Sequence, residues 1–349
     1  MALMMMRLDV VVVMLFYMMF TCGSFTVMKN NDKFVSAYTR IATTVSLSEE
    51  TQQQNRRFLD RVLDARDTHS MITFLPEETE GKPVPLVVAL HGFCLQPEIQ
   101  EAVMLRLVPY VTNTKKAMFA MPNAPSMASG VGLPACRAWD ATEATRPFWM
   151  LWNRKPEGDV PYVMAAIDKA VATAAQNNVI VDWSKIYVYG LANGAFMAHR
   201  LLCEKPGMFA AAASYTGSTD FALEDTCAKN LATSPTSLLQ IHGTLDTVVP
   251  YGGTPWWPGS EETARLVAEW NQCNLESPLT TESRLNTNPF FSYAVTSTRY
   301  EGCASNNVVE EWRVHGMDHL PGIAGGGLVE VSRKAVDWLL DESAVSAST

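Results

Sequence analysis

The sequence predicts an α/β domain: a mostly parallel central sheet with helices on both faces. Three observations predict it. Short, continuous apolar runs recur between Leu86 and Val314, as in strands buried on both sides. Helix-like stretches such as "VPYVMAAIDKAVATAAQNN" and "GSEETARLVAEWNQC" separate several of them, as the crossovers of a parallel sheet require. Several runs also end in a glycine-bearing turn, which places the residues there on the carboxyl edge, where such sheets bind ligands. The chain has 349 residues, 48% of them hydrophobic, enough to bury a large core. Its net charge of −9, with no Lys/Arg cluster, argues against nucleic acid or an anionic membrane as partner.

Taken in order, the first residues give one basic residue (Arg7), an apolar run from Val10 to Phe20, then small and polar residues. That run is short for a membrane span and suits a signal peptide over residues 1–23, cleaved near Cys22 to Ser24; Asp9 leaves an uncleaved anchor as the competing reading. Residues 24–82 are expected to pack on the main domain. "SLSEETQQQNRRFLDRVLDAR" has Ser48 as N-cap and Phe58, Leu59, Val62 and Leu63 at helical spacing, and "HSMITFLP" reads as an edge strand ended by Pro76. The main domain spans residues 83–342, and residues 343–349 form a tail.

Within it, "PLVVALHG", "KAMFAMPN", "KIYVYG", "FAAAASYTG", "SLLQIHG" and "VEEWRVHG" read as successive strands. Residues 122–158 break this rhythm with a loop rich in Pro, Gly and Trp, in which Trp139, Phe148, Trp149 and Trp152 either line a substrate cleft or pin the loop to the core. Beyond Cys22, six cysteines remain: Cys94, Cys136, Cys203, Cys227, Cys273 and Cys303. An even set in an exported chain favours disulfides, and local spacing suggests Cys203–Cys227, Cys273–Cys303 and Cys94–Cys136. No Cys/His spacing fits a metal site.

The chemistry centres on Gly190, Leu191, Ala192, Asn193 and Gly194. Strand, tight turn and helix follow one another here, the geometry of a nucleophile elbow, with alanine at the position of the nucleophile. An oxyanion hole would draw on the backbone N–H of Asn193 and on that of Phe93, which follows His91-Gly92 at the end of an early strand. His91 itself reads as a structural hydrogen-bonding residue. Asp246 in "IHGTLDTVVPYGG" stands in a turn after a strand, suited to orient a histidine. "WRVHGMDHLPG" offers His315 and His319, of which His319 lies further into the loop and is preferred; Asp318 is the lesser acid candidate. His199 and His242 read as packing residues. Tyr251 and Trp256, in the segment after the acid, join Trp139 and Trp149 as candidate substrate contacts.

Ala192, Asp246 and His319 follow the order of nucleophile, acid and histidine that defines the α/β-hydrolase fold. On these motifs, with "IYVYGLANGAFMAHRLL" and "FAAAASYTG", the sequence from about Val84 to Leu340 resembles the secreted esterases that include polyhydroxybutyrate depolymerases and feruloyl and acetylxylan esterases. The resemblance implies a serine nucleophile at position 192, Asp246 as acid, His319 as base, and hydrolysis of small or polymeric esters without a cofactor. The chain departs from that pattern at Ala192, at Ala195, where glycine is common, and in "DHLPG" beside the histidine. Alanine removes only the hydroxyl, so the fold is expected to persist while an acyl-enzyme cannot form. Ser214, Thr216 and Cys94 are not placed to substitute. Three readings follow: an inactivated esterase, a natural ester- or carbohydrate-binding protein, or slow hydrolysis by water that His319 activates.

Overall fold

A computed structural model of the protein describes residues 71–76, 79–93, 107–127, 137–142, 157–288, 291–320 and 327–342. Its nine-stranded sheet contains β1 (Met71–Phe74), β2 (Val84–Leu90), β3 (Met118–Pro122), β6 (Val181–Leu191), β7 (Ala211–Tyr215), β8 (Ser237–Gly243), β9 (Leu279–Asn288), β10 (Phe291–Tyr300) and β11 (Val309–Val314). A separate two-stranded ribbon pairs β4 (Ser126–Met127) with β5 (Arg137–Ala138). The large sheet runs in the order β1-β3-β2-β6-β7-β8-β11-β10-β9. From β3 to β11 every neighbouring pair is parallel, and β1, β10 and β9 add antiparallel edges.

Alternation along each strand explains the layers. Leu86, Val88 and Leu90 of β2 join Ile186 and Val188 of β6 on one face. There they meet α1 (Val160–Gln176), α2 (Asn193–Glu204), α3 (Glu224–Thr233) and α4 (Ser260–Trp270). Val87, Ala89, Tyr187 and Tyr189 point to the other face, covered by α5 (Gly327–Asp337), Trp338 and the helical turn at 107–114. Strands buried on both sides carry no polar alternation, which is why their apolar runs are continuous. The α/β-hydrolase expectation holds.

One expectation was incomplete. The β9–β10 hairpin was not anticipated, because "LTTESRLNTN" and "FSYAVTSTRY" lack an apolar run. At a sheet edge only a few inward residues need be apolar, here Leu285 and Val295, while Glu282 and Arg284 on exposed β9 discourage pairing with another chain.

Two of the expected disulfides are present. Cys203–Cys227 ties α2 to α3, and Cys273–Cys303 ties the end of α4 to the turn before β11. Each closes a loop whose constraint on the unfolded chain stabilises the fold by about 3.5 kcal/mol on the chain-entropy argument. The Cys94–Cys136 pairing, the signal segment, the helix expected from Ser48, the aromatics Phe148, Trp149 and Trp152, and the tail lie outside the described residues. Among the described residues, no helix is long and apolar enough to cross a membrane.

Candidate active site

The carboxyl ends of β2, β6, β7, β8 and β11 converge on one edge. At the centre, β6 turns into α2 through Ala192, whose backbone sits at φ 50° and ψ −113°. That is a left-handed conformation an alanine adopts only at a cost of about 1–3 kcal/mol. Hydrogen bonds hold it: Ala192 N–H donates to Tyr215 O at 2.9 Å, and Ala192 O accepts from Ala195 N–H at 2.9 Å and Phe196 N–H at 3.2 Å. The flanking glycines permit the turn. A Cβ on Gly190 would lie 2.3 Å from Gly194 O, and one on Gly194 would lie 2.2 Å from Leu90 O. Only glycine lets the start of α2 lie directly on the end of β2.

That contact sets the elbow beside the loop His91-Gly92-Phe93. His91 is buried and bonded at both ring nitrogens: Ala124 N–H donates to Nε2 at 2.9 Å, which leaves the proton on Nδ1, facing Gly92 O at 2.8 Å. Burial lowers its pKa to about 4. His91 is thus a neutral brace, as expected. Asn193 begins α2, so its backbone N–H is among those that have no acceptor within the helix. Its side chain is otherwise engaged: Trp139 N–H donates to Oδ1 at 2.6 Å, and Nδ2 donates to Trp139 O at 3.1 Å.

On the same sheet edge stands an acid–histidine pair. His319 Nδ1 lies 2.8 Å from Asp246 Oδ2, and the Asp246 side chain is fully buried. Asp246 Oδ1 accepts from Val248 N–H at 2.9 Å and Val249 N–H at 2.8 Å. Burial by itself would raise the Asp246 pKa. The hydrogen bonds from His242 and His319, the charge of His319 and the Val249 amide outweigh it and hold the carboxyl well below the usual range.

Adjacent parallel strands β8 and β11 bring these loops together. Thr244 N–H donates to Val314 O and Leu245 N–H to Met317 O, each at 3.0 Å, while Gly316 N–H donates to Thr244 Oγ1 at 2.9 Å. Tyr215 joins both halves of the site, since its backbone oxygen takes Ala192 N–H and its hydroxyl donates to His319 O at 3.2 Å. His315 instead meets Thr296 Oγ1 at 2.8 Å, and Asp318 Oδ1 accepts the His319 backbone N–H at 2.7 Å. His199 packs as expected, with Nε2 3.0 Å from Gln240 Oε1.

The substrate contacts need correction. Trp139 is completely buried, its indole N–H donating to His91 O at 2.9 Å and its ring tilted against that of His91. It pins its segment to the core. Tyr251 is also committed elsewhere, donating its hydroxyl to Glu311 Oε1 at 2.9 Å and accepting from Arg313 Nε at 2.7 Å. Trp139 was chosen as an aromatic in a loop, and its burial was not visible from that; Tyr251 is half-buried. Trp256 remains available at 62% exposed, beside Trp257, which packs edge-on against Phe196 of the elbow helix. Phe93 is 40% exposed at the end of the β2 loop. Sequence reasoning missed one residue at the site itself: His242 is not mere packing, because its Nε2 lies 3.2 Å from Asp246 Oδ2. Its position four residues before the acid, at the end of the same strand, was the available signal.

Comparison with known proteins identifies the family. Residues 76–255, just over half of the chain, match the phospholipase/carboxylesterase family. Over 247 residues the chain is 28% identical to a protein named "Putative esterase NocK" of Nocardia uniformis subsp. tsuyamanensis, covering 62% of this chain and 67% of that protein. Among solved structures, an acetyl xylan esterase from Aspergillus awamori aligns with TM-score 0.48 at 16% identity, over 72% of this chain and 89% of that one. The esterase PE8 aligns with TM-score 0.40 at 22% identity, over 58% and 84% respectively.

Proposed function

The chain belongs to the phospholipase/carboxylesterase family, and from that premise we propose that its site binds carboxylic esters in a cleft arranged for acyl transfer but lacks the nucleophilic oxygen. The observation that carries this is the buried Asp246–His319 pair, 2.8 Å apart, tied through Tyr215 to the same elbow that Ala192 occupies. In this reading the ester carbonyl oxygen takes the backbone N–H groups of Asn193 and Phe93, and His319 presents its second ring nitrogen, Nε2, toward the elbow. With a serine at 192, that nitrogen would take the hydroxyl proton as the oxygen attacks the carbonyl carbon and return it to the leaving alcohol. Ala192 offers a methyl group instead, so no acyl-enzyme forms. Water activated by His319 would give only residual turnover.

The substrates that fit the sequence resemblance are esters of hydroxy acids or of aromatic acids. Two disulfides suit an exported chain, which would meet polymeric substrates outside the cell. Ala192 favours a second reading, in which the protein retains esters or ester-bearing carbohydrate without cleaving them.

The test is hydrolysis of a short-chain aryl ester, methyl ferulate and hydroxybutyrate oligomers by this chain and by its Ala192→Ser form. A large gain, abolished by His319→Ala, supports the esterase site. Background rates for both forms on all three substrates would sink it and favour the binding protein.

A further inference from the structure

His242 is left over by the reading above, although it touches the acid. Its Nε2 lies 2.8 Å from Val249 O and 3.2 Å from Asp246 Oδ2. Both neighbours are acceptors, so Nε2 carries the proton, donating to Val249 O with Asp246 Oδ2 in close contact beside it. Nδ1 is then the unprotonated nitrogen, and among the described residues it is buried without a hydrogen-bond partner. A buried imidazole with an unsatisfied nitrogen is unfavourable unless its other nitrogen does something that a smaller apolar residue could not.

We propose that His242 is a positioning residue that clamps the carboxylate of Asp246 in the rotation His319 requires. The clamp joins two hydrogen bonds and one close imidazole–carboxylate contact through a single turn. Val249 N–H donates to Asp246 Oδ1, Val249 O accepts from His242 Nε2, and the same N–H reaches Asp246 Oδ2. The two carboxylate oxygens are thereby held from opposite ends of one turn, so Oδ2 cannot swing away from His319 Nδ1. The imidazole is itself held: the ring of Tyr251 meets it edge-on, with centroids 5.8 Å apart, and Glu311 and Arg313 anchor the Tyr251 hydroxyl. This gives Tyr251 a role behind the site in place of the substrate contact expected of it.

A merely structural His242 would cap Val249 O and fill space, with no effect on the Asp246–His319 bond. Three variants separate the two cases. His242→Gln keeps a donor near the place of Nε2, His242→Phe keeps the ring without a donor, and His242→Asn has a donor too short to reach. The first readout needs no turnover: the downfield proton resonance of His319 Nδ1–H, followed by NMR in the chain as it stands. Retention in the Gln form, with loss or an upfield shift in the Phe and Asn forms, is the expected result. An unchanged resonance in a folded Phe or Asn form, or its absence from the native chain, overturns the clamp. If the Phe form fails to fold, the Gln and Asn forms decide.

The catalytic consequence rests on the esterase reading and is measured separately in the Ala192→Ser background. There His242→Asn should lower kcat by up to on the order of 10²-fold with KM little changed, as a small misplacement of a catalytic group does, and Gln should restore most of it. An inactive Ala192→Ser form defeats the esterase reading and leaves the resonance test of the clamp standing.

Discussion

The two halves of the site differ in what each has kept. The elbow half keeps its shape: two close-packed glycines, a left-handed residue at the turn, and a helix start laid on β2. At the turn itself its side chain is the methyl group of Ala192. The acid–histidine half keeps its chemistry, with a buried carboxylate satisfied on both oxygens and a histidine directed by it. The difference teaches that geometry and reactivity reside in different residues. Backbone packing holds the elbow, whereas the acid–histidine pair is completed by a side-chain hydrogen bond between two loops that backbone bonds bring together.

The largest effect is expected at the elbow half, if the proposed esterase site is right. Ala192→Ser should raise kcat/KM for an aryl ester by on the order of 10⁵–10⁶-fold, because removal of a triad serine costs about that much elsewhere. A gain below tenfold in a correctly folded variant would mean that the elbow half is incomplete in more than its oxygen. Next comes damage to the complete half. In the repaired background, Asp246→Asn should lower kcat by about 10⁴-fold, since His319 loses the partner that fixes its tautomer. A mild loss would show that Asp246 orients nothing.

Acid distinguishes the halves without any substrate. The elbow half holds two buried neutral histidines, His91 and His199, both lowered by burial from 6.5 to about 4. Between those values the unfolded chain binds the protons that the folded chain refuses, so stability falls as pH drops from about 6.5 to 4, by on the order of 3 kcal/mol per histidine, and levels off below. Asp246 behaves oppositely. Its folded pKa is depressed, so its contribution is present above the ordinary carboxylate range and is lost only as pH falls beneath about 4. Thermal melts across pH should therefore show two acid limbs. His91→Gln with His199→Gln should flatten the upper limb, and Asp246→Asn the lower. A single limb unaffected by the histidine pair would contradict this division.

The smallest effect probes strain. Ala192→Gly relieves a left-handed alanine but adds freedom to the unfolded chain, so Tm should stay level or rise by the equivalent of up to about 1 kcal/mol. A clear loss of stability would show that the methyl group packs usefully and that the turn is unstrained.

Much of this was legible in advance, and the residues show why. Gly190 and Gly194 bracket a turn whose demands are local, and continuous apolar runs mark strands buried on both faces wherever they occur. The Cys203–Cys227 and Cys273–Cys303 pairings also followed from short spacing. His319 could be preferred over His315 because a residue further into a loop reaches further from its strand. Trp139 was misjudged because an aromatic in a loop reads alike whether it faces solvent or core. The β9–β10 hairpin escaped notice because an edge strand needs no apolar run.

The sequence by itself therefore determined the buried parallel strands, the elbow and the candidate triad positions, since each depends on residues within a few places of one another. Only the tertiary structure decided that Asp246 meets His319 across 73 residues, that His242 shares its oxygen, and that Tyr215 bonds to both halves. Those contacts depend on β8 lying beside both β7 and β11, and strand order is set by the packing of the whole sheet.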